Sequence, residues 1–284
     1  MKFPDEEYDV IVDAIFGVGL KREVAGRHRE VIERLNQMEA LKVAVDVPSG
    51  VDASAGQILG IAFEADITVT FGLPKVGLLL YPGADVSGEV IVKEIGFPNK
   101  AVEEIAPQMV SFTTDDLELL PERKAWTNKG SYGKVLLIAG SKNMAGAALL
   151  SGTAAYKSGS GLVRIFSCEE NRVILQEKLP EAILTTYDSE EKAWELLPES
   201  LSWASVIGIG PGIGQSAFAS KLVKQVLTLG KAPLVIDADG LNNLAALLQE
   251  DTELRQLFHE YEGGMILTPH LKEMSRLTGE EIAE

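Results

Sequence analysis

Residues 205–216 read SVIGIGPGIGQS and place four glycines, Gly208, Gly210, Gly212 and Gly214, on alternate positions. A short apolar run precedes the glycines and a helix-periodic stretch follows them, which is the strand–loop–helix unit of α/β folds. Glycine loops before a helix commonly bind anions through main-chain N–H groups. The spacing fits neither G-x-G-x-x-G nor the Gly-Lys-Ser/Thr ending of a Walker A loop. The stretch therefore predicts an α/β fold with an anion-binding loop of another kind, or else a tight turn whose glycines only relieve backbone strain.

The composition of the chain limits the ligands of this loop. The chain has 284 residues, 46% of them hydrophobic, and a formal net charge of −16. Such an acidic chain is expected to bind neither nucleic acid nor an anionic membrane surface, so an anionic ligand must be held by local groups. A single cysteine, Cys168, excludes an intrachain disulfide and favours a reducing, cytoplasmic location. No apolar run of about 18 residues predicts a transmembrane helix, and the N-terminus lacks the apolar region of a signal peptide.

Runs rich in valine and isoleucine alternate with helix-periodic stretches along the chain. The predicted strands cover residues 8–16, 41–47, 64–71, 88–95, 134–139, 161–167, 204–209, 234–239 and 265–268. The predicted helices cover residues 29–38, 145–158, 216–229, 241–248 and 271–278, with Ser216 as a predicted N-cap and Gly279 as a predicted helix end. This alternation predicts mostly parallel sheets. A proline-punctuated stretch, 96–122, predicts a boundary between two domains, which we assign to residues 1–105 and 110–284.

The second half carries a further polar loop with glycines, KGSYGKVLLIAGS at 129–141. Its exit, Gly140 and Ser141, leads to a helix of small residues that starts near Gly146 and Ala147. Ligands of open α/β sheets lie at the carboxyl ends of strands, where these residues are expected. The small residues also suit close packing of a helix on a sheet, and both interpretations can hold together.

Three ionisable side chains follow the last predicted strands. Asp237 and Asp239 end the stretch LVIDAD and would bind metal or substrate, or cap the next helix. His270 follows a strand in ILTPH, and a structural and a ligand-binding role are equally open. His28 and His259 lie in polar stretches and are interpreted as solvated residues. No Cys/His cluster suggests zinc.

The first half holds a comparable set of polar residues. Asp13 precedes a glycine turn at 17–20, and Asp46, Ser49 and Asp52 lie at and after a strand end in VAVDVPSGVDASAG. A carboxylate, a hydroxyl and exposed carbonyls in a rigid Pro-Ser-Gly turn suit a hard cation or a ribose hydroxyl. The alternative is an Asx-type turn without a ligand.

Together these motifs resemble the bifunctional NAD(P)H-hydrate repair enzymes, which join an epimerase domain to an ATP- or ADP-dependent dehydratase domain of ribokinase-like fold. The epimerase signature is carried by DAIFGVGL (13–20), VAVDVPSGVDASAG (43–56), ADITVTFGLPKVGLLLYPG (65–83) and GEVIVKEIGFP (88–98). The dehydratase signature is carried by 129–163, by GIGPGIG (208–214), by PLVIDADGLNNL (233–244) and by ILTPHLKEMSRLTG (266–279). The resemblance implies a Rossmann-like first portion and a ribokinase-like second portion.

The resemblance also implies site residues and ligands. In the epimerase portion Asp13 and Ser49 would be ligands of K⁺. The hydrated NADH or NADPH would be bound there by Asp46 and by the segment formed by Gly17, Val18, Gly19, Leu20, Lys21, Arg22 and Glu23. In the dehydratase portion the same substrate would be held by Ala147, Gly210, Gly212 and His270. ATP or ADP with Mg²⁺ would be the phosphoryl donor, and the protein is expected to form a homo-oligomer.

The resemblance further implies that both family domains are incomplete in this sequence. The family's epimerase begins before Met1, and its dehydratase continues past Glu284 to the aspartate that acts as catalytic base. We therefore assign no catalytic residue and expect little turnover from this chain alone. The alternatives are a ribokinase-like small-molecule kinase and an inactive nucleotide-binding fragment.

Overall fold

The structure, a computed structural model, describes residues 7–105, 109–120, 122–250 and 252–282. The chain forms two compact units, residues 1–121 and 122–284. Residues 110–120, which the sequence assigns to the second domain, thus lie with the first unit. The sequence analysis expects no signal peptide at the N-terminus. Residues 1–6 of this stretch fall outside the described residues. No helix of the described ranges is both long and apolar enough to span a membrane.

Unit 1 is built on a four-stranded sheet in which every strand pairing is parallel, in the order β1-β2-β3-β4. Its elements are β1 (Val10–Asp13), α1 (Gly26–Asn36), β2 (Leu41–Val45), β3 (Ile67–Phe71), α2 (Gly83–Ser87), β4 (Glu89–Lys93) and α3 (Asn99–Ile105). The apolar side of α1 buries Ile32 in one cluster with Ile11 of β1, Ala44 of β2 and Phe63. Burial of these side chains stabilises the packing of α1 on the sheet. Because the strands are parallel, their carboxyl ends lie at one edge of the sheet, next to the loops that follow them.

Unit 2 is built on a six-stranded parallel sheet in the order β10-β9-β8-β5-β6-β7. Its strands are β5 (Lys134–Ile138), β6 (Leu162–Cys168), β7 (Ile183–Tyr187), β8 (Val206–Ile209), β9 (Leu234–Ile236) and β10 (Met265–Leu267). Its helices are α4 (Ala145–Lys157), α5 (Arg172–Lys178), α6 (Glu190–Trp203), α7 (Ala217–Leu229), α8 (Asp239–Glu250), α9 (Thr252–His259) and α10 (Leu271–Thr278). The predicted α/β class is confirmed in both units.

The core of unit 2 lies on both faces of its sheet because strand side chains alternate. Leu136 and Ile138 of β5 point to one face and join the cluster formed with α6, α7 and α8. Val135 and Leu137 point to the other face and pack against the cluster formed with α4 and α5. The core therefore fixes the ends of β5 and β8 at one edge of the sheet.

Strand ends and several helices differ from the sequence-based expectation. The first strand ends at Asp13 rather than at residue 16, because the chain turns there to make hydrogen bonds with another loop. The sequence analysis missed α2, α3, α5, β7, α6 and α9. In α6 the interior Pro198, which cannot donate a main-chain hydrogen bond, hides the helical pattern. The predicted N-cap Ser216 of α7 and the helix-ending Gly279, at φ 75°, are confirmed.

Candidate functional site

Polar and strained residues gather after the strands of both sheets. The non-glycine residues with positive φ in the described part of the chain are Asp46 (69°), Asn143 (69°) and Ala238 (50°). Each follows a parallel strand, β2, β5 or β9 respectively. Left-handed backbone at a non-glycine residue costs about 1–3 kcal/mol and concentrates at functional sites. The two carboxyl edges are therefore the candidate sites.

In unit 1 the structure brings Asp13 and Ser49 into direct contact, and both are buried. The Ser49 hydroxyl donates to Asp13 Oδ1 at 2.7 Å, and the Ser49 main-chain N–H donates to Oδ2 at 2.7 Å. Ile15 N–H also donates to Oδ1, and Phe16 N–H donates to the Ser49 hydroxyl at 2.8 Å. These hydrogen bonds join the ends of β1 and β2 and hold a carboxylate inside the protein.

The segment 17–23 follows this pair directly. Gly17, Gly19, Leu20, Lys21 and Arg22 line an open cavity of about 470 Å³ with Ile15 and Phe16. The two remaining residues of the predicted binding segment, Val18 and Glu23, are exposed and do not line it. The cavity is polar enough and large enough for part of a small ligand.

Asp46 lies one strand away and is held by a lysine that the sequence analysis did not assign. Lys75 Nζ lies 2.5 Å from Asp46 Oδ1, and the same oxygen accepts from Thr70 Oγ1 and Phe71 N–H at 3.1 Å each. Burial alone would raise the pKa of Asp46, but the Lys75 and Phe71 hydrogen bonds hold it below 3.8. Lys75 follows β3, the neighbour of β2, so the strand-end argument applied to β3 would have found it.

Asp52 is less strongly held than Asp46. Its Oδ1 accepts from the N–H groups of Ser54 and Ala55, which lower its pKa. Lys21 Nζ lies 3.4 Å from Asp52 Oδ2, with a side chain that is 63% exposed. The contact links the predicted binding segment to the loop after β2.

In unit 2 the glycine loop has a backbone that other residues could not adopt without strain. Gly210, Gly212 and Gly214 have φ values of 127°, 67° and 77°. A Cβ at Gly210 would lie 1.8 Å from the Asp237 carbonyl oxygen. Glycine is therefore required at Gly210 by both φ and close approach, as the strain-relief interpretation expects.

The same loop also contacts the start of α4. A Cβ at Gly212 would lie 2.7 Å from the Ala147 Cβ atom and 3.4 Å from the Met144 carbonyl oxygen. Gly140 N–H donates to the Pro211 carbonyl at 2.8 Å, which ties the exits of β5 and β8 together. Two of the sequence-predicted residues, Gly212 and Ala147, thus meet at the carboxyl edge.

The carboxylates after β9 hold this edge in place. Asp239 Oδ2 accepts from Gly214 N–H at 2.9 Å, and Asp237 Oδ1 accepts from Thr268 Oγ1 at 2.8 Å. Asn243, which sequence reasoning missed, is buried and donates to the carbonyls of Gly214 and Asp239. No group of three or more His, Cys, Asp or Glu side chains suited to a metal occurs among the described residues. These contacts favour anchoring of the loop as the role of Asp239.

His270 takes the structural role that the sequence left open. It is the N-cap of α10, and its Nδ1 accepts from the N–H groups of Lys272 and Glu273 at 3.1 and 3.4 Å. Because Nδ1 accepts, the proton of the neutral ring sits on Nε2, which lies 3.3 Å from Glu273 Oε1. The ring is 62% exposed, so it remains accessible to a ligand. The other two histidines, His28 and His259, are exposed as expected.

The turn at Pro211 lies at a cavity. Pro211 is half-buried and lines a space of about 290 Å³ together with Asp237 and Thr268. The rest of the lining is mostly apolar side chains of β5, β8 and β9. Pro211 thus borders this space, whereas Gly210, Gly212 and Ile213 of the same loop are buried.

Comparisons with known proteins identify the family of the chain and the fold of unit 2. A family model described as NAD(P)H-hydrate dehydratase matches residues 135–283, and one described as YjeF-related protein N-terminus matches residues 1–77. A ribokinase-like superfamily protein of Enterococcus faecalis V583 superposes with a TM-score of 0.52 at 29% identity, covering 59% of this chain and 56% of that chain. An ADP/ATP-dependent NAD(P)H-hydrate dehydratase from Bacillus subtilis, co-crystallised with ATP and Mg²⁺, gives 0.45 at 36% identity, covering 56% and 52%. The fold of unit 2 is that of a ribokinase-like α/β protein.

The sequence relatives are bifunctional NAD(P)H-hydrate repair enzymes. Those of Thermofilum pendens, Moorella thermoacetica and Escherichia coli are 37%, 39% and 34% identical over 98%, 97% and 98% of this chain. The chain covers 52%, 52% and 51% of these proteins, and so spans about half the length of the curated relatives it matches. The chain belongs to the NAD(P)H-hydrate dehydratase family, and the resemblance found in the sequence is confirmed.

Proposed function

We propose that this chain serves in the repair of hydrated nicotinamide cofactors. Unit 1 would interconvert the R and S epimers of NADH- or NADPH-hydrate, and unit 2 would dehydrate the S epimer with ATP or ADP as phosphoryl donor. The observation that carries the proposal is that both family models match one chain, in the order of the two units. Relatives named bifunctional NAD(P)H-hydrate repair enzymes match across nearly the whole chain.

The proposed role of the glycine loop follows from its chemistry. The hydrated dinucleotide carries a pyrophosphate, and the chain carries a formal net charge of −16. Main-chain N–H groups near Gly212 and at the start of α4 supply positive partial charge without a cationic side chain. Gly212 and Ala147 present no side chain larger than a methyl group, so a substrate can approach the backbone closely. His270 would add a ring N–H at the same edge.

Dehydration also needs a better leaving group than hydroxide. Phosphorylation of the ring hydroxyl would convert it into a phosphate ester. Its C–O bond would then break with departure of phosphate, and loss of a proton from the neighbouring ring carbon would restore the ring double bond. The donor, ATP or ADP with Mg²⁺, supplies the phosphoryl group and the charge neutralisation for its transfer. The residues of this chain would hold and orient the substrate for that transfer.

The proposed role of unit 1 rests on the buried Asp13 and the half-buried Asp46. Asp13, Ser49 and the Phe16 carbonyl, whose oxygen is 3.4 Å from Ser49 Oγ, are hard oxygen ligands of the type that K⁺ takes. The Asp13 carboxylate has four lone-pair positions, and three are used by the hydrogen bonds described above. Asp46 stays ionised near neutral pH and would accept a hydrogen bond from a substrate hydroxyl beside the cavity at 17–23. A homo-oligomer in the cytoplasm remains part of the proposal.

Binding of the hydrate tests the residues of this chain directly. We expect calorimetric titration with (S)-NADPH-hydrate to show binding that weakens about tenfold or more in Gly212→Val, since a Cβ at Gly212 would lie 2.7 Å from the Ala147 Cβ atom and would displace the start of α4. Asp46→Asn should abolish a second binding event, the separate binding of hydrate to unit 1. Lys178→Gln, at an exposed lysine in the last turn of α5, is the control for unit 2. Absence of hydrate binding by the folded chain would reject the proposal.

A further inference from the structure

A second cavity in unit 2 is lined by basic side chains. It has a volume of about 410 Å³. Its lining consists of Arg123, Lys124, Thr127, Asn128, Lys129, Tyr132, Ser160 and Gly161. We call it the basic cavity. It includes Lys129 and Tyr132, from the start of the polar loop at 129–141 that the sequence analysis singled out, and the proposed function gives these two residues no role.

The basic cavity lies at the opposite edge of the sheet from the glycine loop. Lys129 and Tyr132 form a short 3-10 turn that leads into the start of β5, and Ser160 and Gly161 lead into the start of β6. The glycine loop follows the end of β8, which is parallel to β5. Because parallel strands share their direction, starts and ends lie at different edges, and the basic cavity is a separate site.

The charge of the basic cavity is opposite to that of the chain. The chain has 42 acidic and 26 basic residues, yet three of the eight lining residues are basic and none is acidic. Among the described residues, no ion pair involves Lys124 or Lys129. Three cations facing one space repel each other, and a bound anion removes that repulsion.

The walls of the basic cavity are held in one shape. Arg123 donates to the Gly159 carbonyl at 2.9 Å, and its guanidinium lies 4.8 Å from the centre of the Tyr132 ring. Tyr132 Oη lies 2.8 Å from Thr127 Oγ1. A Cβ at Gly161 would lie 1.6 Å from the Lys129 carbonyl, so only glycine permits this approach of the two walls. A preformed arrangement of donors reduces the entropic cost of binding.

The donors of the basic cavity match a phosphate group. The Asn128 carbonyl oxygen accepts from Gly130 N–H at 2.9 Å, which leaves its amide N–H₂ free to donate. Ser160 lines the cavity with a further hydroxyl group, whereas the Thr127 hydroxyl donates to the Lys124 carbonyl at 2.9 Å. Lysine, arginine, amide and hydroxyl donors around one space are the set that binds phosphate oxygens.

We propose that the basic cavity binds the phosphate group of a phosphorylated small molecule of nucleotide size. A volume of about 410 Å³ exceeds what one inorganic phosphate fills and lies in the range of pockets for small organic ligands. The phosphate can belong to a 5′-mononucleotide or to the 2′-phosphate of an NADP-type dinucleotide. The site recognises the phosphate in either case.

Titration with defined probes tests this proposal. Inorganic phosphate, 5′-AMP and 2′-AMP are titrated into the wild-type chain and into the Lys124→Gln/Lys129→Gln double variant, with binding measured by calorimetry at low and high salt. Loss of two charge-assisted contacts is expected to weaken binding of at least one nucleotide by about tenfold or more. The wild-type affinity should fall with added salt. Preference for 2′-AMP identifies the dinucleotide phosphate, and preference for 5′-AMP identifies the mononucleotide.

Two controls separate the basic cavity from other sites. Lys178→Gln removes an exposed lysine of α5 and should leave all affinities unchanged. Gly212→Val should weaken hydrate binding at the other edge without changing binding of the mononucleotide probes to the basic cavity. Equal melting temperatures of the wild-type and double-variant proteins establish that folding is intact. Equal nucleotide affinities in these two proteins, or no nucleotide binding by the wild type, would overturn the proposal.

Discussion

The two units hold their strand-end sites by different means. In unit 1 the site is made by side chains, with the Asp13 carboxylate bonded to Ser49 and the Asp46 carboxylate bonded to Lys75. In unit 2 it is made by main chain, with Gly210 and Gly212 in conformations that side chains would strain. Side-chain charges change with pH and can be adjusted one group at a time. A backbone site keeps its partial charges at every pH, but a single added methyl group can disrupt it.

The largest effect is expected from an added methyl group in the loop of unit 2. Gly210→Ala would place Cβ 1.8 Å from the Asp237 carbonyl at a φ of 127°. The loop must shift away from β9, and the free energy of unfolding of unit 2 should fall by about 3 kcal/mol or more. Urea unfolding followed by tryptophan fluorescence reports on unit 2 alone, since Trp126, Trp194 and Trp203 all lie in it.

Gly146→Ala is the matched control for this experiment. Gly146 lies in α4, and a Cβ there meets no atom within 4 Å. Alanine is the better helix former, so stability should stay unchanged or rise by about 0.5–1 kcal/mol. Equal losses in the two variants would show that the close approach at Gly210 does not matter.

The next largest effect is expected in the buried pair of unit 1. Ser49→Ala removes the hydroxyl that donates to Asp13 Oδ1 and accepts from Phe16 N–H. It leaves buried polar groups without partners and should lower the free energy of unfolding of unit 1 by about 2 kcal/mol. Hydrogen exchange of the main-chain amides of β1 and β2 measures this loss. Ser54→Ala, at an exposed serine, should change little, and a similar loss there would contradict the assignment.

A smaller, pH-dependent effect is expected at the ion pair of unit 1. Lys75→Met removes the ammonium group that helps to hold the pKa of Asp46 below 3.8. A depressed carboxyl pKa stabilises the folded state above the unfolded-state pKa, and this contribution is lost as pH falls through the lower folded-state pKa. The stability difference between wild type and variant should therefore be about 1–2 kcal/mol at pH 6–7 and shrink below about pH 4.

Hydrogen exchange of β2 and β3 amides over that pH range measures the difference. Lys93→Met, at an exposed lysine of β4, provides the control. A stability difference that does not change with pH would mean that Lys75 acts by packing of its alkyl chain alone.

The smallest effect is expected at the exposed contact of unit 1. Lys21 lies 3.4 Å from Asp52 and is 63% exposed, so Lys21→Gln should change the free energy of unfolding by less than about 0.5 kcal/mol. Its effect on binding of an anionic ligand in the cavity at 17–23 should be larger than its effect on stability. Calorimetric titration with hydrate measures the effect on binding, and urea unfolding measures the effect on stability. A loss of stability similar to that of Ser49→Ala would show that Lys21 is structural.

Local patterns in the sequence were sufficient for most elements of the fold. Alternation of apolar runs located most of the strands, and the caps Ser216 and Gly279 followed from residue type alone. The stretch between β6 and β8 could not be assigned, because α6 contains Pro198 and its buried side depends on contacts with β5, β7 and α7. The local propensity of a stretch of sequence carries no information about those contacts between elements.

The candidate sites were predictable only as positions along the chain. Strand-end reasoning located Asp46, but its partner Lys75 lies 29 residues away and is chosen by the pairing of β2 with β3. Residue type left the role of His270 open, since a cap and a ligand both need a ring nitrogen at a strand end. Its cap contacts with Lys272 and Glu273 became visible only with coordinates.

The left-handed residues after β2, β5 and β9 have a consequence for directed evolution. Glycine at Asp46, Asn143 or Ala238 would relieve backbone strain, so selection for heat resistance alone should favour it at Asn143 and Ala238, where no ion pair is lost. Selection for cofactor repair should instead retain the present residues if their strain positions the substrate. If one library of variants is selected for survival of heating and, separately, for turnover, the two selected sets should differ first at positions 46, 143 and 238.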